Sequence, residues 1–269
     1  MRGPSRASYV ELRDRLAEAA GSAVTAEHIG DQLFAVVRLL DAEHGLRRAL
    51  ADATKPSAEK ADVVRRLLHG KVTRAAEDLV ADAAAARWAS SSDFADALEQ
   101  LAIEALTMSA QYGGMLDDLE DDLFRFARVV SGQTGLRAAL IGATTTDAKT
   151  SLLTNLLSNK VSGPALSLIT QVLTHPRGRS PQAALDLAAG IAARRREQLI
   201  AVVRTATELS AAQRQRLLDT LTAAYGQGIH LNAVHDPAVI GGVSVQIGDE
   251  LIDGTAASRL ATVRRRLAS

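Results

Sequence analysis

The 269 residues contain no cysteine, which excludes disulfides and thiolate metal sites and makes a reducing compartment the simplest setting. Net charge is also missing. Lys and Arg number 31, as do Asp and Glu, and the pI lies near 7.0. A balanced chain of this kind argues against affinity resting on phosphate neutralisation, and against polybasic attraction to anionic membranes, unless the charges are sorted onto one face. Long apolar runs are absent as well. The longest weakly charged stretch, 152–175, is interrupted by Thr, Asn, Ser, Lys, Gly and Pro, so direct membrane insertion is not expected. The opening residues MRGPSRASYVELRDRL hold no apolar core before a cleavage site, so no secretory signal is expected either. Aromatic residues make up only 3%.

What is present points to helices. Apolar residues are 47% and charged residues 23%, ordinary values for a folded protein. Ala and Leu dominate, and both are good helix formers with little rotamer entropy to lose. The last quarter differs, because Val, Ile and Gly rise there together. The length allows one large domain or two to three small ones.

The first two-thirds match themselves at an offset of 90. Asp31, Leu33 and Phe34 align with Asp121, Leu123 and Phe124; Gly45, Leu46, Arg47, Ala49 and Leu50 align with Gly135, Leu136, Arg137, Ala139 and Leu140. After one deletion the offset is 89, and Lys60, Leu67, Leu68, Lys71 and Val72 meet Lys149, Leu156, Leu157, Lys160 and Val161. A period this long implies a duplicated domain rather than a solenoid, whose units run roughly 20 to 50 residues. Each copy reads as short amphipathic helices. Leu33, Val36, Val37 and Leu40 share one face, as do Leu116, Leu119, Leu123, Phe126 and Val130. Gly45 and Gly135 suit helix ends with a left-handed residue. Ser57 and Thr146-Asp147 open the next helices, followed by starts at Thr73 and Ser162, with Pro164 in the first turn. Further helices begin near Ser92 and near Ser180-Pro181. Shifting the first helix (8–20) by 90 lands on 98–110. The segment 92–112 is therefore expected to be one helix shared by two bundles, or two helices broken near Gly113-Gly114. The run Asp117, Asp118, Glu120, Asp121, Asp122 reads as a solvated face near a helix N-terminus.

From Arg194-Arg195-Arg196 onward the periodicity changes. A strand is expected over 199–206 and a helix from the capping box Ser210 to Gln213 to about Tyr225. Strands follow at 229–234, 243–247 and 250–252, the last two joined by a tight turn at Gly248-Asp249. A final helix should carry Leu260, Val263 and Leu267 on one face. The expected fold class is mainly α: two fused, duplicated helical bundles, then a small α+β C-terminal domain of β-α-β-β-β-α type. The expected domains are 1–111, 98–197 and 198–269.

Within that last domain the ordered series Asp236-Pro237, Val239-Ile240, Gly241-Gly242, Val243 to Ile247, Gly248-Asp249, Ile252-Asp253-Gly254-Thr255 and Arg259-Leu260 resembles a family signature. It is similar to the C-terminal domain of the delta subunit of bacterial rotary ATP synthases, whose mitochondrial relative is the oligomycin-sensitivity-conferring protein. An ordinary bacterial member has one helical domain, whereas this chain resembles the longer actinobacterial form. The resemblance implies a non-catalytic stator subunit without cofactor or metal, one copy per complex. It implies a helical domain that takes the N-terminal helix of an alpha subunit between its first and fifth helices, and a C-terminal domain that meets b-type stalk subunits. The carried-over grooves are 8–20 with 73–87, and 98–110 with 162–174; chain order favours the second. Mycobacterial relatives carry a membrane-anchored stalk segment ahead of this domain, so here the anchor is expected on a separate subunit. The expected location is peripheral, on the cytoplasmic side of the plasma membrane.

The same residues also have structural explanations. Gly241, Gly242 and Gly248 suit positive φ or close backbone approach, and Asp253 or Thr255 suits a helix cap. No GxGxxG or GxxxxGK[ST] cradles a phosphate. His28, His44, His69 and His175 stand singly, and His230 and His235 fall on opposite faces of a strand, so a metal site is not expected. No nucleophile elbow occurs. The arginine triplets at 194–196 and 264–266 are the nucleic-acid candidates, but they read as solvated helix ends or as contacts for acidic stalk helices. The competing class is a helical nucleic-acid-binding factor.

Overall fold

In the computed structural model, which describes residues 3–142, 145–196, 199–207, 209–225, 229–236, 239, 241–247 and 250–253, the Ala- and Leu-rich part forms eleven successive helices. In chain order they are α1 (Pro4–Ala19), α2 (Ala23–Ala42), α3 (His44–Ala51), α4 (Ser57–Leu68), α5 (Arg74–Ala85) and α6 (Ser91–Tyr112). After these come α7 (Leu116–Gly132), α8 (Thr134–Gly142), α9 (Thr146–Leu157), α10 (Gly163–Thr174) and α11 (Pro181–Arg196). Side-chain oxygens of Ser22, Thr73, Ser90 and Thr145 accept N–H groups in the first turns of α2, α5, α6 and α9, satisfying donors that a helix start leaves orphaned. With the offset of 90 then 89, α1 to α5 correspond to α6 to α10, and α6 corresponds to α11.

The duplication also repeats a long-range hydrogen bond. Gln32 on α2 accepts the Thr73 N–H at 2.9 Å, at the start of α5. Its counterpart Asp122 on α7 accepts the Ser162 N–H at 2.7 Å, at the start of α10. Two helices thus cap two others by the same route.

α6 runs unbroken to Tyr112 and stops at Gly113-Gly114. The Met115 N–H reaches the Ala110 carbonyl at 2.8 Å, and the Gly114 N–H reaches Gln111 at 3.0 Å, with Gly114 at φ 69°. These two bonds are the Schellman pattern, which requires a left-handed residue. Gly45 and Gly135 behave otherwise. They lie in the first turns of α3 and α8, neither has positive φ, and a Cβ on either would meet nothing within 4 Å. The preceding helices end instead through single residues, Glu43 (φ −107°, ψ 74°) and Gln133 (φ −112°, ψ 98°). A one-residue break needs no left-handed backbone, so the glycine reading does not hold there.

The chain divides into two compact units, 1–193 and 194–269. In the first, one continuous apolar core runs through both copies, from Leu12 and Leu16 through Leu101 and Leu106 to Leu168 and Leu185. The second contains β1 (Leu199–Thr205), α12 (Ala211–Tyr225), β2 (Ile229–His235), β3 (Val243–Ile247) and β4 (Glu250–Asp253) in a sheet of order β2-β1-β3-β4. β1 and β2 are parallel, joined by a crossover through α12, and the other pairs are antiparallel. Val203, Ile229, Leu231, Val245 and Ile247 form its core with Leu221 of α12. α12 begins at a reciprocal capping box: the Gln213 N–H donates to Ser210 Oγ at 3.3 Å and the Ser210 N–H to Gln213 Oε1 at 2.9 Å. The mainly α class with a small α+β C-terminal domain is borne out. The expected final helix lies outside the described residues.

Candidate protein-interaction surfaces

Candidate surfaces follow from which helix faces the core leaves uncovered. In copy one, α1 and α5 pack side by side, and a shallow groove between them is lined by Ser8, Leu12, Arg15, Asp82, Ala85 and Ala86. Arg15 spans it as an ion pair with Asp82 and also reaches Glu11 at 2.9 Å. The Asp82 bond is the main reason the Arg15 pKa lies above the ordinary arginine value. Ser8 Oγ donates to the Arg87 carbonyl at 2.9 Å. Both straps are at the solvent edge, where ion pairs contribute little stability and exchange readily.

The equivalent groove in copy two is not open in the same way. Of residues 98–110 on α6, all but the half-buried Gln100 and Ser109 are buried. α2 lies along α6, and it comes so close at Gly30 that a Cβ there would stand 2.8 Å from Leu106 Cδ2 and 3.2 Å from the Ala102 carbonyl. α2 is tied to α10 as well: Gln171 accepts from Arg38 Nη1 at 3.1 Å and donates to Asp31 Oδ1 at 3.2 Å. α2 of the same chain therefore contacts both helices, α6 and α10, of the pair that chain order favoured.

The acidic run on α7 is only partly a solvated face. Asp117, Asp118 and Asp121 are exposed, but Asp122 is buried, accepting from Arg125 Nη2 at 2.7 Å as well as from Ser162. The cap it forms on α10 is a contact across 40 residues, which the local charge pattern does not reveal. The same helix exposes Phe124, with the Arg128 guanidinium 5.9 Å from the ring centroid.

In the C-terminal unit the signature residues surround the strand ends. The Asp236 N–H donates to the Thr205 carbonyl at 2.9 Å, which extends the β1–β2 pairing by one bond. Gly241 and Gly242 have φ of 67° and 81° and lead into β3, a conformation that favours glycine. Asp253 ends β4. Pro237, Gly248, Asp249, Gly254, Thr255, Arg259 and Leu260 lie outside the described residues, as do Arg264 to Arg266. An apolar recess of about 580 Å³ separates α12 from β3 and β4, lined in part by Leu217, Leu221, Tyr225, Val245 and Ile252. On β4, Leu251 is 60% exposed.

His28, His44 and His69 are exposed, and His175 is half-buried, its pKa lowered by burial and by the neighbouring charges of Arg38 and Lys149. Among the described residues no group of three or more His, Asp or Glu is placed to hold a metal ion. No described helix is long and apolar enough to cross a membrane. What these surfaces offer is grooves, exposed apolar residues and edge strands, the features by which one protein holds another.

By architecture the chain is a run of packed helices followed by a small α+β sheet unit. The sequence model of the ATP synthase delta (OSCP) subunit family matches residues 102–267, from within α6 to the C-terminal segment. Relatives extend the likeness over both copies. ATP synthase subunit delta of Thermobifida fusca is 46% identical over 273 residues, and that of Streptomyces coelicolor 45% over 271, each covering all of this chain and at least 99% of the relative. The corresponding subunit of Nocardia farcinica is 38% identical, again end to end. The chain belongs to the ATP synthase delta (OSCP) subunit family.

Proposed function

We propose that this chain is a non-catalytic peripheral-stalk subunit of a rotary ATP synthase, holding the catalytic head against rotor torque. The observation that carries this reading is identity of 45–46% along the whole chain, both helical copies and the sheet unit included, with relatives named ATP synthase subunit delta. A part of this kind needs interaction surfaces and stiffness rather than a reaction site, in keeping with the grooves and continuous core described above. The nucleic-acid reading gains no support. Arg47, Arg177 and Arg179 are engaged in internal ion pairs, and the chain has no net positive charge to release counterions.

Within the complex, copy one is the seat of the alpha subunit's N-terminal helix, in the α1–α5 groove, and the C-terminal unit meets the b-type stalk subunits. What supports copy one over copy two is that α2 packs along α6 and is hydrogen-bonded to α10, while the α1–α5 groove is crossed by the solvent-edge Arg15–Asp82 and Ser8–Arg87 straps. The chain reaches the membrane through the complex, on its cytoplasmic side, as one copy.

Calorimetry with a peptide of the alpha subunit's N-terminal helix tests this. Ala85→Trp, which fills the copy-one groove, should weaken binding at least tenfold, and Leu166→Trp on α10 should leave it unchanged. The opposite pattern would place the helix on copy two, and no binding to the full chain would remove the groove reading.

A further inference from the structure

The C-terminal end of α2, the first turns of α6 and the loop between α10 and α11 meet at a cluster of ions that the proposed contacts with head and stalk do not use. Arg177 lies at its centre, its side chain only 9% exposed. Its Nε donates to Asp41 at 2.8 Å, and its Nη1 donates to Asp96 at 2.8 Å and to Glu99 at 2.9 Å. Arg179 Nη1 reaches both oxygens of Glu99 at 2.7 Å, and Arg47 Nη1 holds the other oxygen of Asp41 at 2.9 Å. Three guanidinium groups meet three carboxylates, so the cluster neutralises itself and presents no net charge to an outside ligand. Burial works against the Arg177 charge, but Glu99, Asp41 and Asp96 more than offset it, so its pKa lies above the ordinary arginine value.

Two features separate this cluster from an ordinary ion pair. First, Arg177 has φ 51°, in the left-handed region that a residue with a Cβ enters only at a cost, and Gly178 follows at φ 76°. A strained backbone therefore delivers the guanidinium. Second, the duplication does not repeat the cluster. By the offset, Trp88 and Ser90 of copy one stand where Arg177 and Arg179 stand in copy two, Ser131 stands for Asp41, and Ala188 for Glu99. Trp88 is buried and donates instead to the Ala83 carbonyl at 2.7 Å. Among the described residues the cluster occurs once, and it joins copy one (Asp41) to copy two (Arg177, Arg179) through the helix common to both (Asp96, Glu99). The Gln171 bridge to Asp31 and Arg38 and the close approach at Gly30 lie along the same α2 face and point the same way. Gly30 is likewise unrepeated, its counterpart being Glu120.

We propose that this cluster is an interlock between the two helical copies. It pins α2 across α6 and α10, seals the second copy's groove with a helix of the same chain, and leaves a single open groove on a stiff double bundle. The sealing rests on the groove reading given above; the interlock does not. Buried ionic groups of this kind contribute orientation more than net stability, so the informative readout is local opening rather than melting temperature alone.

The test uses the full chain and hydrogen exchange resolved by segment. Arg177→Ala should speed exchange in the second half of α2 and in α10 at least tenfold, with α4 and α9 unchanged. Asp41→Asn, which removes only the copy-one end and leaves Arg177 with Asp96 and Glu99, should do the same more weakly. Arg177→Gly relieves the backbone strain without supplying the guanidinium, and it should match Arg177→Ala in pattern. Uniform acceleration across the unit, no acceleration, or wild-type exchange in Arg177→Gly would overturn the interlock. With the alpha-subunit helix peptide as probe, the wild-type chain should bind one equivalent and Arg177→Ala a second, weaker one. One equivalent in both overturns the sealing. No binding in either removes the groove reading and the sealing with it, and the exchange pattern then judges the interlock by itself.

Discussion

Gly30 shows how two effects of similar size compete at one residue. In the middle of a helix, replacing Gly by Ala ordinarily gains about 1 kcal/mol of propensity. Here the new Cβ would stand 2.8 Å from Leu106 Cδ2 and 3.2 Å from a carbonyl, inside a packed core, where overpacking costs about 1–3 kcal/mol. Gly30→Ala is therefore expected to destabilise the chain by about 1 kcal/mol. Gly45→Ala, with open space and ordinary φ, should be neutral or stabilising; urea unfolding of both variants checks the contrast. A second residue-scale prediction concerns Asp122. Its carboxylate is buried and accepts from Ser162 and Arg125, so Asp122→Ala should cost about 2 kcal/mol, whereas exposed Asp118→Ala should cost less than about 0.5 kcal/mol. Equal effects in chemical denaturation would return Asp122 to the solvated face that the sequence pattern suggests.

Elements were legible in the sequence wherever a local signal sets them. The Ser210–Gln213 box begins α12 because both partners lie within four residues, and Ser210→Ala should cost about 1 kcal/mol and loosen exchange at the first turn of α12. The strands of the sheet unit follow their alternation because one face is buried against α12. What escaped the sequence is long-range. Asp122 and Gln32 cap helices some 40 residues away, and the ion cluster joins Asp41 to Arg177 across 136 residues. No window of neighbouring residues carries such information. The Gly45 and Gly135 reading failed for a related reason: a glycine near a helix boundary does not say on which side of it the break falls. The preference for the copy-two groove used chain order, and chain order cannot reveal that α2 is laid over α6. A sharper signal was available, since Gly30 is the one glycine placed inside the apolar face of α2 and copy two has Glu120 in its place.

For the molecule as a whole, pH should act through His175. Its folded pKa lies below the ordinary 6.5, because of burial and then the charges of Arg38 and Lys149. Below about pH 6.5 the unfolded chain accepts a proton that the native chain resists, so stability should fall as pH drops, with no contribution from this group above that range. His175→Gln should flatten the dependence of unfolding free energy between about pH 6.5 and 5; an unchanged slope would assign it to other groups. The compact units 1–193 and 194–269 further suggest that deleting 236–269 spares binding of the alpha-subunit helix and abolishes stalk binding, to be read in paired pull-downs. Finally, α6 is counted twice. It is the last helix of one copy and the first of the next, so among the described residues two six-helix sets share eleven helices. Over its 22 residues it spans about 33 Å as a single rod. A load entering at either copy therefore meets a shared beam instead of a hinge, and neither copy can be excised without cutting into the other.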